Sequence, residues 1–510
     1  MENSNIIASE QGIDKITVVN GDTQMTSEVS EEFSLPDYVP EVRKVLTVRA
    51  SALPEQKYLS DTTLEFSGTV TYSVIYTDDL GNLCAIPLSS TYEAKAQVAP
   101  NTEATNITTQ IDSVGVRVMA PRRLTLKSRL KNRIISLGVS DISEKITPKS
   151  SADELYIERK IEPINTLSIK NAALQNIRIS ERLEAPKDAD LKPIWCDASV
   201  LIVDCKSQAD AISVRGEVSV KCLCVGNGRE EVLSKSFPLS EIVEAEGCQV
   251  GDMIKAEARV VSLAISNEES GDKSELFFDV ALEIECEASR NSEVMITRDA
   301  YSTKYESEQT YKNLDYYTAI KEANTSFSVN ETLKKKDKDI FEIITIIGDP
   351  VYEKSEIKGS KINHIGKLLL TVLGKSEPKD DRESEYACQS YELPLKLECE
   401  CGKIGKSAIS SCTFALGNIS ARLDDESITI NGEIYAIYSI YDKLTLNMLD
   451  SCILKKDNEI KRDSGCVRVC FPKENETLWD VAKKYKISVN KLKEQNDLDN
   501  EISNKKCLII

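Results

Sequence analysis

The chain has 510 residues, of which 41% are hydrophobic and 29% are charged. Its 83 acidic side chains outnumber its 64 basic ones and give a net charge of −19, which repels polyanions and argues against a nucleic-acid or anionic-membrane binder. At roughly 100–200 residues per domain, the length corresponds to about three to five domains.

The N-terminus carries no sign of an export signal. Its first eight residues, Met-Glu-Asn-Ser-Asn-Ile-Ile-Ala, lack the basic segment and the apolar run of about 7–15 residues that a secretory signal requires. No window reaches the roughly 18 apolar residues of a membrane-spanning helix. We therefore expect a soluble chain, without a membrane span, that stays inside the cell that makes it.

One alternating strand recurs three times along the chain. Apolar residues occupy every second position in 64–74, 212–222 and 362–372, as in a strand that buries one face. Each copy holds a glycine in its inward series, and these glycines lie 148 and 150 positions apart: Gly68, Gly216 and Gly366. A glycine inside a strand marks a bulge or the close approach of another backbone or a large ring. The sequence therefore predicts three related β-units.

Each unit continues with a proline-containing segment and closes with another alternating strand, at 124–130, 276–286 and 428–440. Many short strands separated by turns are typical of antiparallel sandwiches or partly open barrels. We predict a mainly β fold of three tandem antiparallel β-sandwich or barrel-like domains and a small βααβ module. Their predicted ranges are 28–145, 173–292, 325–452 and 466–510.

The apolar alternation lapses at about 145–172, 293–324 and 453–465, and we interpret these segments as linkers. The second segment is polar but holds five tyrosines, at 301, 305, 311, 316 and 317. We predict that they pack against the neighbouring domain. An interaction strip or a cross-linking substrate is the alternative.

Residues suited to catalysis or metal binding are scarce. The single histidine, His364, lies in the inward register of its strand, which indicates a core residue with one hydrogen bond. Fifteen cysteines in a cytosolic chain should stay reduced. Two Cys-x-Cys pairs, 222/224 and 399/401, continue inward strand faces and are closer together than zinc knuckles prefer, so we predict packing, with metal or redox chemistry as the alternative. We expect no enzyme activity, no cofactor and no metal.

The most specific motif lies in residues 466–510. Apolar side chains at i, i+3, i+4 and i+7 predict one stripe of a short helix: Leu478, Val481, Ala482 and Tyr485. Thr477 is predicted to cap this helix, and Asp480 completes a capping box. A second helix is predicted at about 489–495, and short strands at 467–471 and 507–510 flank the pair.

This pattern resembles the LysM module. The residues that match its usual motif are Thr477, Leu478, Trp479, Ala482, Tyr485, Leu492 and Asn496. Asn475 and Glu476 replace the usual Gly-Asp pair, and asparagine still suits a left-handed turn. LysM modules that hold N-acetylglucosamine polymers use a shallow groove between this loop and the loop after the second helix. The two replacements therefore favour a protein ligand over a sugar.

The β-units resemble the SPOCS domain of clostridial spore-coat proteins. The resemblance rests on the three strand glycines, on the Phe33-Ser34-Leu35-Pro36 opening and on the order of three units before one LysM module. The whole arrangement is similar to the LysM-tailed coat encasement proteins of endospore formers. It implies a non-enzymatic scaffold in the mother-cell cytoplasm at the forespore surface. The implied partner is the coat's basement-layer ATPase, of the stage IV sporulation protein A type, together with other coat proteins and without nucleic acid.

The expected contact with this partner lies in the LysM-like module. We expect Val467 to edge the small sheet and Trp479 to be partly exposed as an aromatic anchor. The partner-binding residues predicted on this basis are Val467, Asn475, Glu476, Thr477, Leu478, Trp479 and Asn496. A second hypothesis is recognition of peptidoglycan or its membrane-bound precursor by the same module, which would require export or access to the cytosolic leaflet.

Overall fold

A computed structural model describes residues 15–147, 154–183, 191–226, 229–270, 273–335, 340–377, 384–461, 467–473, 475–498 and 507–510. Most of these residues lie in β-strands, and short helices occur near the C-terminus. The predicted mainly β fold is therefore confirmed.

The first six strands form two three-stranded antiparallel sheets. They are β1 (Lys15–Ser34), β2 (Lys44–Ser60), β3 (Thr63–Thr77), β4 (Leu83–Gln97), β5 (Thr102–Ala120) and β6 (Arg123–Asp141). One sheet has the order β1-β6-β5 and the other β2-β3-β4. Alternate side chains from both sheets, including Leu64, Phe66, Leu124 and Leu126, meet in one buried core.

Two further sets of six strands pair in the same order. The second set is β8 (Ile157–Leu183), β9 (Lys192–Gln208), β10 (Ala211–Gly226), β11 (Arg229–Glu244), β12 (Met253–Ser270) and β13 (Lys273–Ser302). The third is β14 (Tyr305–Lys334), β15 (Ile340–Lys358), β16 (Lys361–Ser376), β17 (Tyr386–Glu400), β18 (Ile409–Leu423) and β19 (Ser427–Glu459). In each set the first strand pairs with the sixth and the sixth with the fifth, while the second, third and fourth form the other sheet. We call these sets units 1, 2 and 3.

Strands run through the segments interpreted as linkers, so that interpretation is wrong where the structure describes them. β8, β13, β14 and β19 all extend beyond the predicted ranges 173–292 and 325–452. Their ends bury apolar residues against other units: Ile164 of unit 2, Leu314 of unit 3 and Ile16 of unit 1 belong to one cluster. Apolar alternation lapses there because these residues face a neighbouring unit as well as their own sheets.

The strand glycines lie where a neighbouring backbone approaches closely, as predicted. A Cβ atom on Gly216 would lie 2.1 Å from the carbonyl oxygen of Leu201, and one on Gly68 would lie 2.3 Å from that of Leu53. A Cβ atom on Gly366 would lie 2.2 Å from a carbonyl oxygen and 2.7 Å from the ring of Phe414. A register shift in the partner strand lies at or beside each glycine. Each glycine therefore allows a bulge that no other residue would permit without rearrangement.

The three units contact one another in a closed cycle. β4 contacts β9, β11 contacts β15, and β17 contacts β2. At the centre, residues 148 and 150 positions apart form one buried cluster: Ile75, Leu223 and Leu373. Beside them Arg49 pairs with Asp197 of unit 2 and with Asp349 of unit 3, at 2.8 Å for the second pair.

A short strand after unit 1 reaches unit 3. β7 (Lys145–Thr147) pairs in parallel with β19, with Lys145 opposite Ser451. Ile146 lies buried there with Leu449 and Cys452. The first and last units are therefore joined by backbone hydrogen bonds as well as by side chains.

Candidate functional site

The C-terminal module has the predicted βααβ order. β20 (Val469–Cys470) pairs antiparallel with β21 (Leu508–Ile509), and helices α1 (Leu478–Tyr485) and α2 (Val489–Asn496) lie between them. Both strands are shorter than predicted. The predicted apolar face of α1 is largely confirmed. Three of its residues are fully or almost fully buried and the fourth is partly buried: Leu478, Val481, Ala482 and Tyr485.

The turn before α1 is held by its own hydrogen bonds. Asn475 has a φ of 68°, the left-handed conformation expected of it. Thr477 Oγ1 accepts from the Asp480 N–H at 3.2 Å, and the Asp480 carboxylate accepts from the Thr477 N–H at 2.9 Å, which confirms the capping box. Hydrogen bonds from the Thr477 side chain and backbone lower the pKa of Asp480. The Glu476 carboxylate accepts from the Lys473 N–H at 2.8 Å.

Asn496 joins the second helix to the closing strand. Its side-chain N–H groups donate to the carbonyl oxygens of Leu492 at 2.9 Å and Ile509 at 2.7 Å. Its side-chain oxygen accepts from the Ile509 N–H at 2.6 Å. Asn496 is buried, so its side chain holds the module together and offers little surface to a ligand.

The module is docked on the strands of units 2 and 3. Tyr301, near the end of β13, is fully buried and belongs to the same apolar cluster as the module's own core. Its hydroxyl donates to the carbonyl oxygen of Ile487 at 2.6 Å. Its ring packs edge-on against Trp479, with 5.0 Å between ring centroids. Burial raises the pKa of Tyr301, so the hydroxyl keeps its proton as a donor.

Asp299 completes this contact with a charge. Its carboxylate accepts from Trp479 Nε1 at 2.8 Å, from Lys483 Nζ at 2.7 Å and from the Tyr311 hydroxyl at 2.7 Å. Burial raises the pKa of Asp299, but the hydrogen bonds from Lys483, Trp479 and Tyr311 outweigh it and hold the pKa below its usual value. We call these five residues, Asp299, Tyr301, Tyr311, Trp479 and Lys483, the docking contact.

Register shifts place two members of the docking contact. β13 shifts against β8 between Thr297 and Asp299, and β14 shifts against β19 between Thr310 and Tyr311. Such bulges re-aim a side chain that a regular strand would point elsewhere. The tyrosine-rich segment was the one signal for this site in the sequence analysis. The prediction that its tyrosines pack against a neighbouring domain agrees with the position of Tyr301.

The predicted partner-binding residues differ in burial and in the contacts they make. Leu478 and Asn496 are buried inside the module, and Glu476 and Thr477 shape the turn. Trp479 is partly buried, as expected, but it faces Asp299 and Tyr301. Val467 is 78% exposed and precedes β20 by two residues, so it does not edge the sheet as predicted.

Exposed apolar residues lie in and beside the module's sheet. Val469 of β20 lies opposite Ile509 of β21, and Val467 and Phe471 stand two positions before and after Val469 along the chain. The exposed fractions are 78% for Val467, 50% for Val469, 72% for Phe471 and 46% for Ile509. We call these four residues the apolar stripe. Cys470 and Leu508 point inward against the helices, so Val469 and Ile509, their neighbours in the two strands, face away from the helices.

The predicted core histidine is confirmed as buried. His364 is fully buried, its Nδ1 lies 2.8 Å from the Ser355 hydroxyl, and its Nε2 has no hydrogen-bond partner among the described residues. Burial, helped by the positive charge of Arg133, lowers the pKa of His364 to about 4. Cys222, Cys224 and Cys399 are buried among apolar side chains, as predicted from their strand register, and Cys401 is partly buried against the same core as Cys399.

Comparison with known proteins identifies one part of the chain. The LysM domain family matches residues 473–503, which confirms the resemblance drawn from the motif. No curated protein and no solved structure matches the chain. The chain is thus a mainly β protein that carries a C-terminal LysM domain.

Two further observations bear on this domain. One wall of the expected sugar groove, the loop after α2, lies in residues 499–506, outside the described residues. Among the helices that the structure describes, none has the length and apolar character needed to cross a lipid bilayer.

Proposed function

We propose that this chain is a non-enzymatic scaffold of spore-coat assembly. It resembles the SipL-like spore-coat morphogenetic proteins in its three related β-units followed by one LysM domain. In this proposal it acts in the mother-cell cytoplasm at the forespore surface. Its LysM domain binds the coat's basement-layer ATPase, and the β-units hold other coat proteins.

The apolar stripe is the observation that carries this proposal. Exposed apolar residues grouped on one face of a small domain mark an interaction surface more often than scattered ones do. Phe471 gives the stripe an aromatic anchor of the kind that supplies much of the energy of protein interfaces. The stripe includes Val467 from the predicted contact, whereas Trp479 is already engaged by Asp299.

The charge of the domain supports a protein partner as well. Between residues 467 and 510 nine basic side chains face seven acidic ones, in a chain whose net charge is −19. The domain therefore differs in electrostatic character from the acidic β-units. This difference favours an acidic surface as the ligand of the LysM domain.

The test is binding of the full chain to the purified basement-layer ATPase, measured by calorimetry. We expect Phe471→Asp to weaken binding by at least tenfold, because a carboxylate would be buried without a partner. Ile242→Asp is the matched control, since Ile242 is an apolar residue of unit 2 that is 62% exposed, against 72% for Phe471. Equal affinities of both variants and the unaltered chain would contradict the proposed contact.

A glycan-binding role is the second candidate, and the match to the LysM family is the observation that favours it. Sedimentation of the full chain with purified peptidoglycan distinguishes the two roles. Retention at micromolar protein, unchanged by Phe471→Asp, supports the glycan role. Absence of retention together with binding to the ATPase supports the scaffold.

A further inference from the structure

Three sulfur atoms lie together where β9 and β10 pair. Cys196 and Cys222 are directly opposite each other in this antiparallel pair. Their Sγ atoms are 2.9 Å apart, and Cys224 Sγ lies 3.5 Å from Cys222 Sγ. The first separation is shorter than an ordinary non-bonded contact between heavy atoms, which is about 3.5–4 Å for carbon atoms.

We propose that Cys196 and Cys222 form an oxidisable pair that closes to an intramolecular disulfide when a hydroperoxide reaches Cys196. Opposite residues of an antiparallel pair have Cα atoms roughly 4.5–5.5 Å apart, within the range of about 4.4–6.8 Å that disulfides require. Cys222 and Cys224 are two positions apart on one strand, about 6.4–6.8 Å, which is at the upper limit of that range, and their side chains run parallel to each other. The geometry therefore selects Cys196 as the partner of Cys222.

Exposure gives the two thiols different roles. Cys196 is partly exposed, whereas Cys222 and Cys224 are fully buried. An oxidant from solvent therefore reaches Cys196 first. The hydrogen bond with Cys196 and burial raise the pKa of Cys222, so this residue stays a thiol until its neighbour is oxidised.

The chemistry needs one equivalent of a hydroperoxide such as hydrogen peroxide. The Cys196 thiolate attacks the O–O bond, which leaves a sulfenic acid on Cys196 and releases hydroxide. The sulfur of Cys222 then attacks the sulfenic sulfur, so that the S–S bond forms and the S–OH bond breaks. The departing oxygen and the hydroxide take up the two thiol protons, so two thiols and one peroxide become one disulfide and two waters.

The position of the pair connects it to the centre of the molecule. Trp195 and Leu223, the residues beside the two cysteines, lie opposite each other in the same strand pair. Both belong to the central cluster, with Ile75 of unit 1 and Leu373 of unit 3. A disulfide would therefore fix the pairing of β9 and β10 at the junction of the three units, and the oxidised chain should have a higher Tm.

The experiment uses the full-length chain, reduced and then treated with hydrogen peroxide. The expected results are the loss of two of its fifteen titratable thiols and a rise in Tm that a reducing agent reverses. A non-reducing tryptic digest should link peptide 188–206 to peptide 222–229, which carry the two residues.

Variants assign the link, because each peptide holds a second cysteine. Cys196→Ser should abolish it, whereas Cys205→Ser and Cys224→Ser should keep it. All three variants are checked for an unchanged Tm in the reduced state, and Cys196 tolerates serine because it is partly exposed. A link that survives Cys196→Ser, a link through Cys205 or Cys224, or a Cys222 thiol still open to alkylation after denaturation would overturn the proposal.

Discussion

Asp299 connects the LysM domain to the strands of units 2 and 3. Its carboxylate accepts hydrogen bonds from four donors, two of which, Trp479 and Lys483, belong to the domain. Trp479 was expected from sequence to anchor a separate partner. Its use within the chain could not be predicted, because Asp299 lies 180 positions away and reaches it only through a bulge in β13.

Asp299→Asn should loosen the docking contact. The amide keeps its volume but loses the charge that pairs with Lys483, and hydrogen bonds to charged groups contribute about 1.5–3 kcal/mol each. We expect faster hydrogen exchange of the α1 amides in this variant, by about tenfold or more. Asp457→Asn, at an exposed position of β19, is the control and should leave α1 unchanged.

His364 should make stability depend on pH. Its pKa is about 4 when folded, against about 6.5 for an ordinary imidazole. At a pH above the ordinary pKa, the imidazole is neutral in both the folded and the unfolded chain, so it adds no pH dependence to the free energy of unfolding. As the pH falls below the ordinary pKa, the unfolded chain binds a proton that the folded chain does not bind. The free energy of unfolding therefore decreases until the pH reaches the folded pKa.

The His364→Phe variant isolates this effect, since unit 1 has Phe66 at the equivalent position. Between pH 7 and pH 5 the unaltered chain should lose about 2 kcal/mol more than the variant in urea unfolding. Ser355→Ala keeps the imidazole and serves as control, with a pH dependence close to that of the unaltered chain. An identical pH dependence in His364→Phe would count against a neutral buried imidazole.

At the scale of the elements, the sequence predicted the strands well wherever one side chain in two entered the core of its own unit. Residues such as Phe278, Val280 and Ile284 are buried as their alternation indicated. The prediction from alternation failed at the strand ends that contact another unit. Tyr317, for example, donates to the carbonyl oxygen of Val19 at 3.1 Å across the junction, and no local pattern signals such a contact.

The strand glycines provide the sharpest test at this scale. In Gly216→Ala the new Cβ would meet the Leu201 carbonyl oxygen at 2.1 Å, so the strands must separate. We expect a loss of about 1–3 kcal/mol in the free energy of unfolding. Gly115→Ala is the matched control, because its Cβ would have its nearest neighbour at 4.0 Å. Similar unfolding curves for both variants would contradict the close approach.

The whole molecule is organised around the central junction. The threefold repeat predicted from the glycine spacing agrees with three sets of strands paired in one order. The closed cycle could not be predicted, because a repeat shows that units are alike but not how they pack. Arg49 illustrates this, since its partners Asp197 and Asp349 come from the two other units.

Arg49→Met should destabilise the assembly of the three units. The substitution removes the cation between two partly buried carboxylates and leaves them facing each other. We expect the free energy of unfolding to fall by about 2–3 kcal/mol. Adding Asp349→Asn should recover part of the loss. Lys95→Met, which breaks an exposed pair with Glu65, is the control and should leave the unfolding midpoint unchanged.

The pairing of β7 with β19 sets a constraint on biosynthesis. Lys145 lies opposite Ser451, so its backbone partner leaves the ribosome some 300 residues later, or about 15–60 s at ~5–20 residues per second. During that delay Ile146, together with the faces of unit 1 that later meet the other units, stays uncovered in the nascent polypeptide. Completion of the native architecture is therefore post-translational, and a chaperone that shields the first unit should raise the yield of correctly folded chains.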